Sequence, residues 1–188
     1  RDYGNITVSY RLDGNLWIDT QCGTQTGVVT PSFSVSSGDG GETIWCNYPG
    51  FTLYYGNPAT GGGSQSLDFP GSGHLWLAPL IEDPYNPNQA YLAGGGLSGG
   101  NHLFHLTAGS GSITYTEESY SFSSTISAMG YSSIDPNNRY VLTTNGNFYH
   151  SNNDGHVWQI SSDFEGPGSH YFYGSTIWSS QNTPGKVI

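Results

Sequence analysis

Four segments of this chain share one phrase: an aromatic-rich stretch, a turn containing proline, then a second aromatic or aliphatic stretch. They are ETIWCNYPGFTLYYG, HLWLAPLIEDPYNPNQAYLAGG, ISAMGYSSIDPNNRYVLTTN and STIWSSQNTPGKVI. Aligned on Pro49, Pro87, Pro136 and Pro184, they recur every 38, 49 and 48 residues, and four residues beyond each proline stands Leu53, Tyr91, Tyr140 or Ile188. Proline fixes φ and carries no N–H to leave unpaired, so it suits a turn between antiparallel strands. The residue four later re-enters the sheet. Nowhere does the chain repeat apolar residues at helical spacing over three turns, whereas short strand-like runs with turn residues between them continue throughout, so the fold class is all-β.

A repeat of this length is the period of a β-propeller blade, four antiparallel strands running from axis to rim. The expected architecture is a β-propeller segment of about four four-stranded blades, over residues 5–37, 42–70, 74–119 and 125–163, with the start of a further blade at 175–188. The first and last are expected to be incomplete. Within the propeller, ETIWCNY is expected to be the inner strand of its blade, which makes Ser37 to Gly41 the loop entering from the preceding blade. Such an incomplete ring would be completed by the rest of a longer chain or by another chain. Trp45, Trp76, Trp158 and Trp178 are expected mainly in the core between blades.

Composition narrows the partners. With 14 Asp+Glu against 4 Lys+Arg and a net charge of -10, the chain lacks the cations from which affinity for nucleic acid largely derives. No apolar run approaches the 18 residues of a membrane-spanning helix. Only 10% of residues are charged, against roughly 25% in ordinary domains, which fits an extracellular or cell-surface protein. Cys22 and Cys46 stand as one disulfide or two separate thiols, and their spacing does not choose. Neither a metal site nor a cofactor is expected: no close Cys or His pair has ligand spacing, and the Gly-rich run Gly94 to Gly100 lacks the lysine and following helix of a phosphate cradle.

The run SNNDGHVW, Ser151 to Trp158, resembles the Asp-box, the Ser-x-Asp-x-Gly-x-x-Trp hairpin of BNR repeats, with Ser151, Gly155 and Trp158 in place and Asn153 where the family has Asp. The surrounding SSIDPNNRYVLTTNGNFYHSNNDGHVW is similar to sortilin-like and xyloglucanase-like propellers, above all those of large secreted bacterial proteins exported by type IX secretion. That resemblance spans roughly Gly38 to Ile188. It implies that Ser151, Asn153, Gly155 and Trp158 are structural, together with Asp154, and that the chain is a secreted binding or structural module for a protein or glycan.

The alternative is part of a glycoside hydrolase with paired carboxylates. Asp39 and Glu42 are the leading candidates for a catalytic or ligand-binding role, with Tyr54 and Trp76 as stacking rings. Asp68, Glu82, Asp83, Glu117 and Glu118 are further carboxylates. Asp83 and Asp135 precede proline and read as turn formers, and adjacent Glu117 and Glu118 read as solvated on an outer strand. A sialidase would need three arginines on its substrate. The chain has Arg1, Arg11 and Arg139, the last in a turn.

Overall fold

The computed structural model describes residues 7–12, 16–21, 32–35, 44–48, 52–57, 62–68, 75, 78–95, 99–161 and 176–188. Fourteen strands and no helix lie among them. β1 (Thr7–Leu12) and β2 (Leu16–Gln21) form an antiparallel pair. Three four-stranded antiparallel sheets follow in chain order. The first contains β3 (Ser32–Val35), β4 (Ile44–Tyr48), β5 (Thr52–Asn57) and β6 (Gly62–Asp68). The second contains β7 (Leu80–Asp83), β8 (Asn86–Leu92), β9 (Phe104–Ala108) and β10 (Ile113–Glu117). The third contains β11 (Ile126–Tyr131), β12 (Arg139–Thr143), β13 (Phe148–Ser151) and β14 (Gln159–Ser161).

In each sheet every strand pairs with its neighbour in sequence. The sheets lie face against face: β3 packs on β7, β7 on β11, and at the other edge β6 on β10. Burial follows position. In the third sheet β11 is buried at five of its six residues, whereas all three residues of β14 are exposed. A strand between two neighbouring sheets must be apolar on both faces, while an outer strand meets water, which is the difference between ISAMGY and QIS.

Alternation along the strands builds two cores from one sheet. Ala90, Leu92, Phe104 and Leu106 face the first sheet and join Trp45 and Leu53, with Tyr55 packed against them. Tyr91 and Ala93 point the other way and join Ile126, Met129, Val141, Tyr149 and Trp158. This is the period-2 geometry of a strand expressed as two interfaces. Trp45 and Trp158 are thus core residues as expected, but Trp178 is half exposed. Trp76 lies outside the described residues.

The turns repeat as closely as the strands. Asp83 Oδ1 accepts from the N–H groups of Tyr85 and Asn86. Ser132 Oγ accepts from those of Ile134 and Asp135, and Ser180 Oγ from those of Asn182 and Thr183. Residues 83, 132 and 180 have the same spacing as Pro87, Pro136 and Pro184, each four residues before its proline. A side-chain oxygen bonding the N–H groups two and three residues on fixes the same exit from each strand. Asp135 adds a second such clamp, accepting from Asn137 N–H and, through Oδ2, from Asn138 Nδ2 at 2.6 Å.

Pro49 does not belong to this series. Trp45, four residues before it, has no side-chain oxygen to clamp a turn, and Pro49, outside the described residues, stands in the sequence between β4 and β5. Since β3 lies on the other edge of β4, the segment ETIWCNY supplies the second strand of its sheet, not the first. Ser32–Val35, expected in the preceding unit, pairs with β4. Residues 36–43 therefore connect two strands of one sheet, and the expectation that Ser37 to Gly41 enters from a preceding blade is corrected. The short 38-residue interval already separated Pro49 from the other three.

Leu106 is fully buried between the first two sheets. Truncation to alanine should cost about 2–5 kcal/mol, read as a fall in the urea midpoint with unchanged slope.

Candidate functional site: a cleft between two sheets

The turn clamped by Ser132 and Asp135 delivers Arg139 as the first residue of β12, opposite Tyr131 on β11 and Ser151 on β13. Only 10% of its side chain is exposed. Such burial of a guanidinium is unfavourable unless its donors are met by anions and acceptors. Here Nη1 donates to Glu118 Oε1 at 3.0 Å, Nη2 donates to the Tyr91 hydroxyl at 2.6 Å, and Nη2 forms an ion pair with Asp154 Oδ1 at 2.7 Å. The guanidinium also stands over two rings, 4.5 Å from the centroid of Tyr91 and 4.8 Å from that of Tyr131. One cation thereby ties the third sheet to β8 and to the segment leaving β10.

Each partner is placed by its own local structure. Glu118 follows β10, with its N–H donated to Leu103 and its carbonyl accepting from His102 Nδ1 at 3.0 Å. Asp154 sits in the β13–β14 turn with φ at 60°, the left-handed region that Asp tolerates when a tight turn demands it. That turn is fixed from within. Ser151 Oγ donates to Asn153 Oδ1 and accepts from Gly155 N–H, both at 2.9 Å, while Asn153 Oδ1 accepts from Val157 N–H at 2.9 Å. Gly155, at φ 82°, lies against Arg139 and the Trp158 ring, where a Cβ would be 3.4 Å from Nη1.

Around this centre opens a cleft of about 830 Å³ between the second and third sheets. Its walls include Asp83, Tyr85, Asn86 and Gln89 from the β7–β8 hairpin and Asn137 from the β11–β12 turn. His156 joins Asp154 from the β13–β14 turn. Burial raises the Glu118 carboxyl above its ordinary value, opposed but not cancelled by Arg139. Burial likewise pushes Tyr131 up to about 12 against the pull of Arg139. For Arg139 burial works against the charge, yet Tyr91, Glu118, Tyr131 and Asp154 together hold the guanidinium more firmly protonated than in water.

His105 lies flat on Tyr91, centroids 4.9 Å apart, and bonds Gln89 Oε1 at 3.0 Å. The next sheet repeats the arrangement: His150 stacks on Tyr140 at 5.0 Å and bonds Asn138 Oδ1 at 2.7 Å. Burial lowers both imidazoles, and Arg139 adds to the effect at His105. The two copies differ at the phenol. Tyr91 holds Arg139, whereas the buried Tyr140 hydroxyl has no hydrogen-bond partner among the described residues, and the residue at the place of Arg139, 48 later, is Val187.

Asp39, Glu42 and Trp76 lie outside the described residues, and Tyr54 is described only as part of β5. Glu118 departs from its expected place: it stands beyond the end of β10 with its side chain three-quarters buried on Arg139, not solvated on an outer strand. Asp83 and Asp135 are the turn formers that their positions before proline imply. The overlooked cue was Arg139 itself, one of four basic residues in an aromatic-rich chain.

Comparison with known proteins yields a fold. No protein-family model matches the sequence, and no curated protein does. Among solved structures the chain is similar to the β-propeller domain of Cps50 (Swd1) from Myceliophteria thermophila, with a TM-score of 0.60 and 11% identity. The likeness covers 85% of this chain and 47% of that one. These sheets are blades of a β-propeller. At that identity the likeness carries the fold alone, and the chain spans about half the length of the propeller domain it matches. Among the described residues no helix is long and apolar enough to cross a membrane, and no three His, Cys, Asp or Glu side chains are grouped as metal ligands would be.

Two outcomes follow for the clamp between blades. Arg139→Lys keeps the charge but loses the fork that reaches Glu118, Tyr91 and Asp154 together, and should cost about 3 kcal/mol in chemical denaturation. The lowered imidazoles favour the neutral form in the folded chain. Their contribution is complete above the ordinary value of about 6.5 and is lost as pH falls from there through the lowered folded-state values. The melting temperature should therefore drop between pH 7.5 and 5.5, and His105→Gln should reduce that drop.

Proposed function

We propose that this chain is part of a secreted or cell-surface β-propeller acting as a non-enzymatic binding and structural module, with the cleft around Arg139 as its ligand site. The observation that carries this reading is the locked charge at the cleft's centre. Arg139, Glu118 and Asp154 hold one another, and the walls around them present aromatic rings and uncharged polar groups. Rigid propeller scaffolds with such clefts suit recognition of protein or glycan.

The Ser151 to Trp158 turn supports reading this blade as a BNR-type repeat with an Asp-box. Asn153 makes the Val157 contact expected of the missing Asp, and Trp158 returns into the core. The sortilin-like and xyloglucanase-like resemblance, bacterial origin and type IX export belong to the same reading, as do the scarcity of charge and an extracellular setting. Further blades, from the same polypeptide or from another chain, complete the ring.

A paired-carboxylate glycosidase would need one carboxyl free to give its proton to the leaving oxygen. In the cleft, Glu118 and Asp154 are both held on one guanidinium. A glycan array and a parallel β-glucan turnover assay, run on the natural protein after its intact mass is measured, should give binding without hydrolysis. Hydrolysis abolished by Asp39→Asn or Glu42→Gln would overturn this reading in favour of the enzyme.

A further inference from the structure

The charged groups of the cleft are already engaged. Asp83 accepts from Tyr85 N–H and Asn86 N–H through Oδ1, and from Asn86 Nδ2 through Oδ2. Asp154 Oδ1 is ion-paired with Arg139 and accepts, at 3.4 Å, from the Tyr131 hydroxyl, while Glu118 Oε1 is held by the same arginine. A ligand that competed for these groups would have to break the clamp between the blades. An anionic ligand would in addition meet three carboxylates against one guanidinium.

Apart from Asp154, half-exposed but paired with Arg139, the cleft offers uncharged polar groups to an incoming molecule. Asn86, Ser119 and Asn137 are exposed along its walls. Tyr85 stands among them, 40% exposed. Its ring is held at both ends: the hydroxyl donates to the Ser132 carbonyl of the next blade at 3.1 Å, and the ring meets Tyr131 edge-on with centroids 5.8 Å apart. A fixed aromatic face loses little conformational freedom when a ligand settles on it. Planar amides that both donate and accept, beside such a face, match a molecule with C–H surfaces edged by hydroxyls.

Resting on the reading of the chain as a binding module, we propose that this cleft binds a segment of uncharged oligosaccharide, with Tyr85 as its stacking surface and the neutral side chains around it meeting the hydroxyls. The ring carries the affinity and its hydroxyl only anchors it. Tyr85→Phe therefore separates stacking from hydrogen bonding to the ligand.

The test is calorimetric titration of the full chain with neutral hexasaccharides of β-glucan, mannan and galactan, with hexagalacturonate, and with a hexa-arginine peptide. At least one neutral hexasaccharide should bind, about tenfold more weakly to Tyr85→Ala and within about twofold of wild type to Tyr85→Phe. The circular dichroism spectrum and melting curve of each variant establish that it folds. The proposal is overturned if no neutral hexasaccharide binds, if binding ignores Tyr85→Ala, or if hexagalacturonate binds better than every neutral member. Tighter binding of hexa-arginine at Tyr85 would replace the ligand by a basic protein segment and leave the binding-module reading standing. Hydrolysis of a bound hexasaccharide would do the reverse, upholding the ligand class and overturning the non-enzymatic reading.

Discussion

The second sheet of this chain is covered on both faces, and the rest of the described structure depends on that constraint. The second blade-like sheet spends Ala90, Leu92, Phe104 and Leu106 on one neighbour and Tyr91 and Ala93 on the other. Blades of this kind are stable only in series, because each supplies half of two cores. Close approach is required as well. At Gly130 on β11 a Cβ would lie 2.9 Å from Ile177 Cγ2, so the following segment packs directly on the strand's backbone.

Into this apolar series the chain inserts a charged junction. Arg139 joins the two blades through an ion pair to Glu118 and hydrogen bonding and ring contact with Tyr91, while a second ion pair holds it to Asp154 of its own blade. Buried ionic groups contribute less to stability than apolar ones of the same volume, but they are strict about geometry. The clamp fixes how the two blades meet and so shapes the cleft beside it. The neighbouring junction, with Val187 and an unpartnered Tyr140 hydroxyl, has no such device among the described residues.

The sequence revealed local features well and distant ones poorly. Period-2 strands, the prolines at 87, 136 and 184, and the turn-forming Asp83 and Asp135 depend on neighbours within a few residues. Each was readable. Pro49 misled because a Pro-Gly turn joins second and third strands as readily as first and second, and only pairing with Ser32–Val35 distinguishes them. The cleft was hidden for the opposite reason. Tyr91, Glu118 and Asp154 lie 48, 21 and 15 residues from Arg139, and only the stacking of two blades brings them together. Adjacent Glu117 and Glu118 looked alike as letters, yet the strand ends between them.

The account turns on whether that clamp is a coupled unit. A double-mutant cycle with Arg139→Met and Glu118→Gln, measured by urea unfolding of the full chain, tests it most directly. Removing Arg139 leaves Glu118 buried without its cation, and removing Glu118 leaves Arg139 with Asp154 as its one ion-pair partner among the described residues, so the double variant should be more stable than the sum of the single losses implies, with a coupling energy of about 1–3 kcal/mol. Losses that simply add would contradict the account, because Arg139 and Glu118 would then act independently and the two blades would not be joined through them.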